Sequence, residues 1–370
     1  MYSESDLEAA VAGGALTPQQ AASFRNFVAA SAHSPAVDEE HFRLLTGFND
    51  IFVGIAAAIL LVAVGGLGYY VPPHIDVDGP TPFIGLFVAA TAWGLAEYFT
   101  RQRRMALPSI ILLLAFAFGT FATVLFGSVT VIGEHAFDHN PQLGGVVVAL
   151  AAAAAAAATW VHWRRFRVPI TVAVGAAAAI ALVLGLVATA FVTPDMADEA
   201  GERLKSILEG VALVLGLGTF LLAMRWDASD PKRETRRSDV AFWLHLLAAP
   251  LIVHPIFSLL GLTEGNSSAL SAVAVVALYV GLGLVALAID RRALLVSALA
   301  YVLFALNSLF ETYGVVELNF ALTALVIGSA LLLLSAFWTS ARRAVVSPLP
   351  GGLRGKLPVL DRVSAVAVPA

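Results

Sequence analysis

The 370-residue sequence contains no cysteine. Disulfides, thiolate metal sites and cysteine nucleophiles are therefore excluded, and the redox compartment is left open. Charge is scarce as well. Asp, Glu, Lys and Arg make up 13% of the chain, against about 25% in an ordinary soluble domain. No lysine stands deep within an apolar run, which removes a retinal Schiff base. No G-x-S-x-G or other nucleophile arrangement occurs, so no enzyme is expected. The tail sequence "GGLRGK" is one residue short of a phosphate loop, and Leu357 stands where Ser or Thr is required. No short apolar core with a small-residue cleavage site begins the chain, so insertion is expected to rely on the first spanning helix.

What the chain does have is apolar length: 59% of it is hydrophobic. Ten segments, near 48–70, 82–100, 106–127, 142–161, 168–192, 205–225, 239–260, 268–289, 293–313 and 318–339, are each long enough to cross a bilayer, which takes roughly 20 residues of helix. The expected class is all-α: a polytopic membrane protein of about ten transmembrane helices. Hydrocarbon offers the backbone no partner, and no barrel-like alternation is present.

The basic residues orient these spans. With ten helices, all 22 Lys and Arg except Arg203 and Lys205 fall on one side. That side is expected to be cytoplasmic, with both termini inside. The opposite loops are acidic, carrying Asp76, Asp78, Glu134, Asp138, Asp195, Asp198, Glu199, Glu202, Glu264 and Glu317.

Three regions follow. Residues 1–46 read as a small helical hairpin and linker: Ser5-x-x-Glu8 and Thr17-x-x-Gln20 are capping boxes, Pro18 suits a first helical position, and Gly13 and Gly14 would end the first helix. Residues 47–340 form the transmembrane domain. Residues 341–370, rich in Pro and Gly, read as an irregular tail. Within the fourth span the eight alanines Ala151 to Ala158, preceded by Gly144 and Gly145, mark a tightly packed helix. The glycine pairs 216/218 and 281/283 suggest close packing too.

Polar groups inside spans are the functional candidates. The run "FWLHLLAAPLIVHPIF" (242–257) holds His245, His254, Pro250 and Pro255. The histidines are nine residues apart, about 900° of rotation and ~13.5 Å of rise, so they cannot share a metal. A haem pair is not supported, since His33, His41, His74, His135, His139 and His162 all fall in termini or loops. The prolines free the carbonyls of Leu246 and Leu251, bend the axis and are expected to interrupt the helix, so the run is read as a kinked helix. His245 is read as a packing residue satisfied by nearby carbonyls. His254 lies at a depth comparable with Glu209, Glu311 and Asn307, which together could line an outward-facing cavity and relay protons. Alternatively, both glutamates reach water at their helix ends. Glu97, one turn from Arg101, reads as an interfacial salt bridge.

In the outer loops, His135 and His139 are spaced as zinc ligands often are, with Asp138 or Glu134 nearby and His74 on the neighbouring loop. A solvated loop is the favoured reading of them, and the order is not H-E-x-x-H. No cofactor is expected.

At "DEEHFRLLTGFNDIFV" (38–53), "FWLHLLAAPLIVHPIF" and "LTPQQA" (16–21), the sequence resembles a family of bacterial polytopic membrane proteins known as a domain of unknown function. The resemblance implies a bacterial inner-membrane location, a short cytoplasmic helical segment and about ten spans. It transfers no activity and no site residue.

Three functions compete. A secondary transporter or permease would use ten spans as two inverted five-helix halves. Against it, the halves show no clear internal similarity, and the second span has no proline-rich match to the seventh. A non-transporting scaffold or sensor would use the N-terminal hairpin to bind a partner. An outer-face metalloenzyme is a third reading that needs zinc on the loop histidines. The bilayer is the expected partner, beside a small solute or a protein; nucleic acid is not, and oligomerisation is left open.

Overall fold

A computed structural model describes residues 4–32, 48–76, 79–192, 198–230, 235–259, 269–292 and most of 319–358, with isolated positions between 294 and 303. The described residues are all-helical, without a strand. Seven described helices are long and apolar enough to cross a membrane, and a bent pair near the C-terminus would make an eighth.

The N-terminal pair is α1 (Glu4–Ala12) and α2 (Pro18–Ala32). Between them Gly14 takes a left-handed φ of 73°. Thr17 and Gln20 form the reciprocal capping box: Gln20 Oε1 accepts from Thr17 N at 2.8 Å, and Thr17 Oγ1 accepts from Gln20 N at 3.2 Å. Leu7 and Ala21 are buried, whereas Phe24 and Phe27 are exposed.

The long helices follow: α3 (Phe48–Tyr69), α4 (Pro82–Ala96, prolonged by a wider π turn over Glu97–Gln102) and α5 (Ala106–Ile132). A short α6 (His135–His139) precedes α7 (Gln142–Phe166), α8 (Ile170–Phe191) and α9 (Asp198–Ala228). Then come α10 (Arg236–Leu259), α11 (Ala269–Ile289), α12 (Asn319–Ala336), α13 (Trp338–Val346) and the single turn α14 (Gly351–Arg354). Chain neighbours pair as hairpins: α4 with α5, α7 with α8, α9 with α10.

Lipid gives apolar helices little reason to associate, so contact depends on how closely backbones can approach. A Cβ on Gly145 would lie 2.7 Å from the Gly185 carbonyl, so α7 and α8 cross at van der Waals contact. Beside it the alanine run buries Ala151, Ala152 and Ala155. Gly216 does the same for α9 on α10: its Cβ would meet Leu251 Cβ at 2.8 Å and Leu251 O at 3.0 Å. Among the described residues nothing lies within 4 Å of a Cβ at Gly218 or Gly281, whereas Gly216 meets Leu251.

Two expectations need correction. α10 runs as one continuous helix through Pro250 and Pro255 instead of breaking at them. Packing supplies the reason: Leu251, whose carbonyl Pro255 leaves without its helical partner, lies directly under Gly216, and Val253 and Phe257 are buried on the same helix. The tail also begins in order. α12 ends at Ala336, and the chain turns through 75° into α13, so residues we read as the last turn of a span and the start of an irregular tail form an amphipathic helix. Trp338, Arg342 and Val346, spaced four apart, make its buried face.

The turns at the arginine-rich end are tight. Arg104, Arg167 and Asp290 each take φ between 54° and 58°, a left-handed conformation uncommon outside glycine. Arg167 ends α7 this way, its N–H bonding to Trp163 O at 3.1 Å.

Candidate functional site

Three ionisable side chains meet inside the bundle near its arginine-rich end. Asp227 comes from the last turn of α9, His245 from the third turn of α10, and Arg291 from the turn after α11. All three are buried, with 3%, 0% and 2% of their surface exposed. Tertiary packing makes the meeting possible. Ala223 of α9 packs with Val240 and Leu244 of α10 and Ala173 of α8 in one buried apolar cluster; Asp227 lies one turn beyond Ala223, and His245 directly follows Leu244.

Arg291 grips Asp227 with two nitrogens: Nε donates to Oδ2 at 3.2 Å, and Nη2 donates to Oδ1. The same Nη2 donates to the Ser238 carbonyl at 3.0 Å, in the first turn of α10. His245 Nε2 lies 3.0 Å from Asp227 Oδ2. A carboxylate held by a guanidinium accepts and does not donate, so Nε2 is the nitrogen that carries the proton. The Phe220 ring, 5.2 Å from the imidazole, closes one side.

One carboxylate thus serves two donors from two other elements. With His245 neutral the cluster has no net charge; with His245 protonated it carries one positive charge among apolar walls. An ionic group of this kind is a poor source of stability, because removing the charges from water offsets most of their attraction. It is a good source of two-state behaviour, because adding or removing one proton changes the cost of keeping the helices together.

Next to it in sequence, Asp290 faces the other way. Its Oδ1 accepts from Trp338 Nε1 at 2.8 Å and faces Arg342 Nε at 3.6 Å. Arg292 lies over the Trp338 ring, 4.8 Å from its centroid.

The residues singled out from sequence have the following places among the described residues. His245 is buried as a packing residue would be, but its partner is a carboxylate from α9. Glu209 is half-buried, and its Oε1 accepts from Ser258 Oγ at 2.5 Å, joining the far ends of α9 and α10. His254, one turn before Ser258, is exposed. Asn307 and Glu311 lie outside the described residues. Glu97 pairs with Arg101 at 3.3 Å as expected, and also with Arg165, whose Nε and Nη2 reach its two oxygens at 2.8 and 2.9 Å.

The loop histidines do not converge. His74 Nε2 bonds to the Tyr69 carbonyl at 2.8 Å, His139 Nδ1 to the His135 carbonyl at 2.9 Å, and His135 Nδ1 lies 3.8 Å from Asp138. Among the described residues no three His, Asp or Glu side chains gather as a metal would require. His162, which we placed in a loop, is fully buried in α7. Trp93, Phe116 and Phe166 surround it, and its Nδ1 is 3.3 Å from Thr171 Oγ1.

Sequence reasoning passed over Asp227 and Arg291, because both sit in the arginine-rich runs "RWDASDPKRETRR" and "DRR" that read as solvated loops. The available signal was His245 itself: an imidazole inside a span calls for a polar partner at its own depth. No family model, curated protein or solved structure matches the chain.

Proposed function

We propose that this multi-pass membrane protein is a secondary transporter or permease of the bacterial inner membrane, with ten spans and both termini in the cytoplasm. The buried Asp227–His245–Arg291 cluster is its inner gate. The observation that carries this reading is the burial of a shared carboxylate between a guanidinium and an imidazole, which joins the end of α9, the middle of α10 and the turn after α11 while adding little stability. Protonation at His245 or Asp227 weakens the hold of Asp227 on Arg291 and lets the inner ends of α9, α10 and α11 separate. With the inner end closed, access is from the acidic face, where Glu209 and Ser258 meet and where Glu311, Asn307 and His254 would line the outward-facing cavity. The arginine-rich turns support the orientation, and the resemblance to a family of unknown function supports the bacterial location.

Proteoliposomes enclosing a pH-sensitive dye test this reading. A panel of sugars, amines, organic acids and amino acids is added outside, and proton movement is followed. At least one class moves protons in the wild type and fails to do so in Asp227→Asn.

One observation favours the alternative of a scaffold or sensor. Phe24 and Phe27, 43% and 71% exposed, stand on α2 outside the long helices, as a partner-binding face would. A protein captured from membranes by the full chain, and lost when residues 1–46 are removed, would support it.

A further inference from the structure

The left-handed turn at Asp290 sends two consecutive side chains into two different clusters. Arg291 enters the Asp227–His245 site, while Asp290 receives the indole N–H of Trp338 and faces Arg342. Arg342 is itself buried, and its Nη2 donates to the Pro358 carbonyl at 2.6 Å. The segment from Trp338 to Pro358 is thus tied to the dipeptide that supplies the arginine of the cluster. Its helix α13 turns 75° away from α12, with its apolar face, Trp338 and Val346, turned inward.

The geometry points to a C-terminal latch: α13 and the following segment hold the 290–291 turn in place and so keep Arg291 on Asp227. The latch rests on the gate reading above for what its release would open. The attachment is both apolar and polar. Trp338 belongs to a buried cluster with Ala249, Ala286 and Leu294 that seats α13, while the indole–carboxylate bond and the Arg342–Asp290 pair fix it to the 290–291 turn. The two polar contacts are regained in water when the segment leaves, and the apolar contact is what holds the latch shut. Release frees the Asp290 turn, Arg291 loses its fixed position, and the Ser238 carbonyl and the first turn of α10 become open to water. The segment therefore regulates the site from the side where the arginines lie, and whatever draws α13 away opens it.

The cysteine-free sequence makes a clean test possible, since every introduced thiol is unique. Ser238 is 5% exposed and adjoins the cluster, so Ser238→Cys reports opening. Inside-out membrane vesicles holding the full chain are treated with a water-soluble maleimide, and the labelling rate is read. Asp290→Asn keeps the turn, because Asn tolerates a left-handed φ, but removes the charge facing Arg342. Trp338→Phe keeps a ring under Arg292 and removes the N–H. Each should raise labelling by about tenfold or more, the factor expected from losing one hydrogen bond to a charged group. Ser109→Cys, buried in α5 away from the site, should stay unlabelled in the same backgrounds. An unchanged rate in both variants overturns the latch, as does equal labelling at Ser109→Cys, which would mean general loosening. Asp227→Asn separates the two ideas. If it raises labelling while Asp290→Asn does not, the gate stands and the latch falls. If it raises nothing either, both fall.

Discussion

His245 and Asp227, 18 residues apart in sequence, are joined across two helices by a 3.0 Å contact between Nε2 and Oδ2, with both side chains buried. This contact places a titratable pair where water is excluded. It ties the middle of α10 to the end of α9, and through Arg291 to the turn after α11.

Removing the shared carboxylate should cost more than removing either donor. Asp227→Ala leaves Arg291 and His245 facing each other in an apolar site, a loss of about 3–5 kcal/mol. Replacing all three residues together by Leu, Leu and Met should restore most of that stability while abolishing proton-coupled flux. Denaturant or thermal unfolding in detergent measures the first effect, and the liposome assay the second.

His245→Gln retains an N–H donor of shorter reach, whereas His245→Leu retains none. The leucine variant should lose about 1–3 kcal/mol, because one oxygen of a buried carboxylate loses a donor. The glutamine variant should fall between it and the wild type. Unfolding midpoints of the three proteins give the order.

Gly216→Ala should destabilise the α9–α10 hairpin, since the new methyl would sit 2.9 Å from the Leu251 carbonyl carbon and 3.0 Å from its oxygen. Overpacking of this sort costs about 1–3 kcal/mol. Gly218→Ala, two residues on, would meet no described residue within 4 Å and should be neutral or slightly stabilising. The pair, compared by thermal unfolding, separates helix contact from helix propensity.

Glu97→Gln breaks two ion pairs at once, yet Glu97 and its partners Arg101 and Arg165 are partly exposed. Water screens such pairs, and the melting temperature should not move measurably. A large drop would mean that the π turn over Glu97–Gln102 depends on this carboxylate.

How much of this was legible beforehand follows from the range of each interaction. Long apolar runs announce α3, α5, α7 and α8 by length alone, and the Thr17–Gln20 box and the Glu97–Arg101 pair are patterns spaced three and four residues apart that need only a helix. Arg165 on Glu97 spans 68 residues, and Arg291 on Asp227 spans 64. Pairings of that range depend on how the hairpins pack, which no local pattern encodes. The same cause misplaced His162: "HWRRFR" reads as a solvated end, but α7 continues to Phe166 and turns the imidazole inward among Trp93, Phe116 and Phe166. The prolines of α10 misled in the opposite sense: the helix continues through Pro250 and Pro255, packed against Gly216 of α9, where an isolated one would break.

The central claim is that Asp227 couples protons to solute movement, and the liposome dye assay compares wild type with Asp227→Asn most directly. The account predicts solute-dependent proton movement in the wild type that Asp227→Asn abolishes, with the variant still folded and inserted. Undiminished proton movement in Asp227→Asn, or none in folded wild type with any solute class, would contradict it.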